Sequence, residues 1–127
     1  MKIVMWNNKK EVEFDSIPEK QGIYLIACQC SNGKNIVVYV GQSNDLRRRA
    51  KEHWSDNEQN KDLKNAIKKY KNAFTYFYAV LDSARDLDGC EKYLFDCYEP
   101  QFTDRTPEAE PIEIALTNSV SKGRVNF

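Results

Sequence analysis

No run of about 18 apolar residues occurs in the chain, so it holds no segment suited to cross a bilayer as a helix. The opening MKIVMWNNKKEVEF also lacks the apolar stretch of a secretory signal, and the expected location is the cytoplasm. Net charge is missing too, because 19 Lys and Arg balance 19 Asp and Glu. There is thus no global basic field of the kind that supplies non-specific affinity for nucleic acid. Cysteines are few, at Cys28, Cys30, Cys90 and Cys97. Neither C-x-C nor C-x6-C is a zinc-site spacing, so they are read as buried free thiols. No internal repeat or low-complexity tract interrupts the chain, and histidine occurs once, at His53.

What remains is a chain of 127 residues and 14.8 kDa, long enough to bury one core without disulfides or metal as staples. Its charges are segregated although they cancel. Residues 45 to 71 hold nine basic against five acidic side chains, and residues 82 to 113 hold three against ten. One local face can therefore be basic.

Residues 22 to 28 (GIYLIAC) and 36 to 41 (IVVYVG) are β-branched and aromatic runs without a polar alternate, the pattern of central strands covered on both faces. Asn32-Gly33 between them is a strong hairpin signal, with both turn residues expected at positive φ. With those two as the loop, Tyr24 lies opposite Gly41 and Ile26 opposite Tyr39. Tyr24 and Tyr39 are then diagonal neighbours on one face, about 7–8 Å apart. Two readings follow: a pair of core tyrosines with hydroxyls at the rim, or two phenols converging on one bound group, with room for it at Gly41.

Ser43, Asn44 and Asp45 offer caps for a first helix whose buried stripe is Leu46, Ala50 and Trp54. Arg49 precedes His53 by four residues, so the two share a face beside that stripe, at the edge of the core. Arg47 and Arg48 point elsewhere and read as a solvated basic surface. A second helix carries Leu63, Ala66, Ile67 and Tyr70 on its apolar side and Lys61, Lys64, Lys68 and Lys71 on another. A third strand, residues 74 to 81, leads to a third helix with Leu87, Leu94 and Tyr98 on one face, ending before Pro100. Glu91 sits within that face. Desolvating a lone carboxylate costs several kcal/mol, so it must be paired, as in a salt bridge to an arginine, hydrogen-bonded, or bound to a cation. Residues 2 to 17 suggest a small hairpin through Asn7 and Asn8. Residues 104 to 111 have linker composition, and residues 112 to 116 suggest a short edge strand.

Gly22-Ile23-Tyr24 and Tyr39-Val40-Gly41, with Arg49, His53 and Glu91 in order behind them, resemble the signature of the GIY-YIG nuclease superfamily. The resemblance spans about residues 20 to 103. It implies an α+β fold, an α/β sandwich with a three-stranded antiparallel sheet flanked by helices. Residues 1–19 and 104–127 would form terminal extensions. It also implies a metal-dependent endonuclease that hydrolyses phosphodiester bonds in DNA, RNA not being set apart from it by the sequence. By that resemblance Tyr24 is the general base, assisted by Tyr39 and His53. Arg49 contacts the scissile phosphate, and Glu91 holds a magnesium or manganese ion. Gly41, Gln42 and Thr103 are the expected substrate contacts, together with Lys64 and Lys68 if the lysine stripe of the second helix tracks the nucleic-acid backbone and is not simply a solvated face. Two positions depart from the pattern: Thr103 stands where many members have asparagine, and Gln42 where the excision-repair members have lysine. A second reading is a nucleic-acid-binding module of the same fold in which cleavage is weakened or lost. A chain this short has little room for a separate DNA-binding domain, so specificity would come from loops, a dimer or a protein partner.

Overall fold

The computed structural model describes residues 4–7, 11–103 and 106–127. The two apolar runs form β2 (Gly22–Gln29) and β3 (Asn35–Ser43), and the third forms β4 (Phe74–Val80). With β1 (Val4–Asn7) they make one antiparallel sheet in the order β1-β4-β2-β3. The predicted three-stranded sheet is present, and the amino-terminal segment adds a fourth strand on the outer edge of β4.

That fourth strand replaces the expected amino-terminal hairpin. Val4 pairs with Tyr78 and Asn7 with Thr75, while Glu11–Ser16 winds into a 3-10 turn; Asn8 lies outside the described residues. Arg47 explains why the chain turns at this point. Its guanidinium donates to the carbonyls of Asp15 and Ile17 and pairs with Glu19, so these carbonyls face a helix instead of a partner strand.

The β2–β3 register pairs Tyr24 with Gly41 and Ile26 with Tyr39, as predicted. It arrives there by a different route. The turn closes between Cys30 and Lys34, so the loop has three residues, and only Gly33 takes a positive φ, +84°. A one-residue bulge opposite Ile26 and Ala27 then restores the pairing. The extra residue is Val38, which joins the same buried cluster as Tyr39.

Both faces of the sheet are covered, as their unalternating composition requires. On one face Tyr24, Ile26, Tyr39 and Tyr76 pack against α1 (Leu46–His53) and α2 (Lys61–Lys69). On the other, Ile23, Leu25, Val40 and Phe77 pack against α3 (Leu87–Tyr98) and against Ile114 and Val120 of the carboxy-terminal segment. The third helix ends where Pro100 forbids continuation, with Glu99 in the left-handed region at φ 44°.

The carboxy-terminal segment does not form the expected edge strand at residues 112 to 116. Ile112 instead donates its N–H to the Gly89 carbonyl, and its side chain occupies the space a Cβ on Gly89 would need. Further on, Ser121 exchanges backbone hydrogen bonds with Asn35 and Val37, and the Phe102 N–H bonds to the Val38 carbonyl. One half of the edge strand β3 is thereby covered, which blunts it against pairing with another chain. Cys28 and Cys90 are buried free thiols, and Cys30 and Cys97 are half-buried ones. No helix among the described residues is long and apolar enough to cross a membrane.

Candidate active site

The other half of the β3 edge opens into a cleft of about 150 Å³ lined by Tyr24, Tyr39, Val40, Gly41, Gln42, Arg49, Glu91 and Thr103. Because β3 is an edge strand, the cleft gathers side chains from both layers. Tyr39 and Gly41 face α1, and Gln42 reaches toward α3. Seven of the ten residues singled out in the sequence line it; His53 lies directly behind Tyr24, and Lys64 and Lys68 are elsewhere on α2.

Local sequence chemistry sets the helix that carries Arg49. Asp45 adopts an extended backbone and its side chain accepts the Arg48 N–H, while Ser43 braces Asp45 through two hydrogen bonds. Leu46 and Ala50 are fully buried. Trp54 is only half-buried because the helix ends at His53; its indole packs edge-on to Tyr76. His53 takes the deeper position and is 1% exposed, well inside the core and not at its edge.

Tyr24 is the centre of the constellation. Its ring stacks on Tyr76 with centroids 4.9 Å apart and lies 6.1 Å from the Tyr39 ring. Its hydroxyl is 2.7 Å from His53 Nε2. The expected vacancy at Gly41 is filled by Tyr24 itself: a Cβ on Gly41 would meet the phenol hydroxyl and stand 2.6 Å from Cζ. Gly41→Ala therefore has to move a ring held on both faces. The expected result is a loss of about 1–3 kcal/mol by urea denaturation, and a larger proportional loss of cleavage than of stability. Parent-like stability and cleavage would show that Tyr24 can shift freely.

A carboxylate that the sequence did not single out completes the group. Glu58, 4% exposed, lies in the loop after α1 with Oε2 on His53 Nδ1. Its other oxygen accepts the Asn60 N–H at 3.0 Å, and Arg49 Nη1 stands 3.8 Å from Oε2. Burial alone would raise the Glu58 carboxyl, but the bond to His53, the Asn60 amide and Arg49 outweigh it and hold the carboxyl below its ordinary range. Burial pushes the His53 imidazole down, with the Glu58 hydrogen bond opposing that shift. The pair is therefore an ionised carboxylate beside a neutral ring. Such a ring carries its proton on Nδ1, toward Glu58, and leaves Nε2 to accept from Tyr24.

Burial likewise raises Tyr24 well above the usual phenol value, as do Tyr39 and Tyr76, against the opposing pull of Arg49. Tyr24 at rest is a neutral phenol. Arg49 is one-quarter exposed; burial would lower its pKa, but Tyr24, Glu58 and Tyr39 outweigh that and keep it firmly charged. It thus presents one positive group to the cleft. On the opposite wall, Glu91 is 6% exposed, and the Gln42 amide donates to its Oε1 at 3.0 Å and to Asp88 Oδ1 at 2.5 Å. Thr103 is exposed at the rim. Lys68 pairs with Asp56, and Lys64 lies close enough to Asp56 to lower its pKa.

The model of the GIY-YIG catalytic domain matches residues 20–104, about two-thirds of the chain. This chain belongs to the GIY-YIG nuclease superfamily. It is a hydrolase of phosphodiester bonds, and of the residues on which the resemblance rested Tyr24, Tyr39, Val40, Gly41, Arg49 and Glu91 line the cleft. Among solved structures, the chain is similar to the GIY-YIG N-terminal endonuclease domain of UvrC from Thermotoga maritima, a point mutant bound to its catalytic divalent cation. The two share 20% identity and a TM-score of 0.52, over 76% of this chain and 99% of that one. At that identity the likeness is one of fold. Among curated proteins no relative matches the chain.

Proposed function

We propose that this GIY-YIG domain is a divalent-metal-dependent DNA endonuclease of the cytoplasm, with Tyr24 drawing the proton from the attacking water and Arg49 stabilising charge on the phosphate. The observation that carries this reading is the convergence of Tyr24, Tyr39, Arg49 and Glu91 on one cleft from β2, β3, α1 and α3. A fold kept for packing alone has no use for a guanidinium and a buried carboxylate facing one cavity.

Glu91 fits a hard, oxygen-preferring cation. Its carboxylate is oriented by Gln42 and lines the cleft that Arg49 and Tyr24 share. Among the described residues no group of three or more His, Cys, Asp or Glu side chains is placed to enclose a metal. Magnesium suits such a site, because it keeps most of its waters and takes one or two carboxylates plus a phosphate oxygen. The UvrC domain of similar fold is itself bound to a divalent cation. When bound, the cation would offset charge on the phosphate as the leaving oxygen departs. Gln42 holds the carboxylate in place, and Tyr39 borders both Tyr24 and His53 by ring contacts. A guanidinium matches phosphate oxygens in fixed geometry, which suits Arg49 to the transition state. Sequence or structure preference would come from loops around the cleft, from a dimer or from a protein partner.

The test is direct. Purified protein is incubated with magnesium or manganese and with duplex, branched and single-stranded DNA, and with RNA. Metal-dependent cleavage that stops on chelation is the expected result. Binding without cleavage under every condition would replace this reading with that of a nucleic-acid-binding module.

Thr103 measures how far the rim of the cleft takes part. Its hydroxyl both donates and accepts, with less reach than an amide. Thr103→Val keeps the shape and removes the hydroxyl, and a severalfold loss of cleavage is expected; Thr103→Asn should retain or raise the rate. Unchanged turnover in the valine variant would end the site at Glu91.

A further inference from the structure

We infer that Glu58 is the positioning residue of a buried Tyr24–His53–Glu58 relay, in which His53 takes the Tyr24 proton as Tyr24 takes one from the attacking water. The inference rests on the endonuclease reading and adds to it a residue and a proton path. Three contacts carry it: Tyr24 Oη to His53 Nε2 at 2.7 Å, His53 Nδ1 on Glu58 Oε2, and the Asn60 N–H holding the second Glu58 oxygen at 3.0 Å. Tyr24 is itself only 2% exposed but lines the cleft, whereas His53 and Glu58 have side chains with no exposed surface and do not line it. A histidine and a carboxylate sealed behind a phenol have no contact with substrate. Their chemistry passes through Tyr24.

The arrangement answers a difficulty in using tyrosine as a base. A neutral phenol holds a proton and cannot accept another until that one leaves. Here the water proton passes to Tyr24 Oη while the Tyr24 proton passes to Nε2. The water oxygen forms its bond to phosphorus, and the bond from phosphorus to the leaving oxygen breaks. Solvent protonates the departing alkoxide, and the imidazolium returns its proton through Tyr24 to solvent. Glu58 holds the ring in the tautomer whose Nε2 is free to accept, and its charge stabilises the imidazolium that forms, the part a buried carboxylate plays for histidine in hydrolytic triads. The charged and titratable groups facing His53 are Tyr24 from β2, Tyr39 from β3, Arg49 and Glu52 from its own helix, and Glu58 from the loop. Arg49 and Glu58 are themselves 3.8 Å apart, so the relay also steadies the guanidinium at the phosphate.

Nitrogen NMR of the single histidine in the full chain tests the order of the relay without any substrate. A neutral His53 protonated on Nδ1 is expected, with its Nε2 signal moving in Tyr24→Phe, where the donor is gone. Protonation on Nε2 in the parent would overturn the proposal whether or not the protein cleaves. Glu58→Gln keeps the shape of the side chain and removes its charge. Its kcat should fall on the order of 10²–10⁴-fold with KM within a few-fold, and Glu58→Asp should recover part of the loss. A folded Glu58→Gln variant with parental kcat would also overturn it. A parent that binds DNA, shows the Nδ1 tautomer and never cleaves would refute the endonuclease reading and, with it, the catalytic use of the relay.

Discussion

Glu91→Gln is expected to abolish metal-dependent cleavage and leave the domain folded. The substitution is nearly isosteric, and the new amide oxygen can still accept the hydrogen bond that Gln42 donates at 3.0 Å. What disappears is the charge that would hold a divalent cation. Lewis-acid stabilisation is worth several kcal/mol, so the rate should drop on the order of 10³-fold or more, at about 1.4 kcal/mol per decade. Manganese affinity, read by calorimetry or by the manganese EPR signal, should fall in parallel. A variant that keeps parental turnover would remove Glu91 from the metal site. One that fails to fold, beside a parent without activity, would make the carboxylate a structural partner within α3.

Arg49→Ala should lower kcat on the order of 10²–10³-fold, the effect of removing one electrostatic donor aimed at transition-state charge. The neighbouring arginines are the internal controls. Arg47 faces away from the cleft and ties the 3-10 turn at Glu11–Ser16 to α1 through Ile17, Asp15 and Glu19. Its alanine variant should lose stability with little change in kcat. Arg48 is exposed, bonded to Asn44 and close to Glu52, and its replacement should be nearly silent. Lysine at position 49 should restore only part of the rate, because a point charge lacks the planar fork of the guanidinium. Equal losses at all three positions would mean diffuse attraction to the phosphate backbone and no dedicated contact.

Different parts of this molecule were legible from the sequence to different degrees, for physical reasons. The strands β2, β3 and β4 and helix α3 announce themselves because long apolar runs or stripes have one stable destination. The β2–β3 pairing was legible at Tyr24 and Gly41 but not in its mechanism. A three-residue loop and a one-residue bulge each displace the register, in opposite senses, and only the displacement that remains is fixed by which faces must be buried. The amino-terminal segment misled because strand pairing there depends on a free sheet edge at β4 and on carbonyls captured by Arg47, both distant in sequence. Residues 112 to 116 misled similarly: the apolar residues there are satisfied by packing on Gly89 and α3 instead of by a ladder.

The sequence by itself determined which groups line the cleft as far as they lie on regular elements. Tyr24, Tyr39, Arg49 and Glu91 are placed by strand alternation and helical period, which are local properties of the chain. Only the tertiary structure decided what stands behind them. Glu58 belongs to a polar loop, SDNEQN, whose residues look solvated by composition, and nothing in that run separates it from Asp56, which is exposed. Its burial arises because α1 ends at His53, Asn60 caps α2, and the loop between them closes over the imidazole. Likewise Gly41 reads as open space in one strand, and the fold fills that space with the hydroxyl of its neighbour. Lys64 and Lys68 share a basic stripe in the sequence, but the path of the same loop sets Asp56 against Lys68 and both lysines outside the lining of the cleft. Periodicity reports which face of an element is buried; which groups meet on that face is a property of the closed chain.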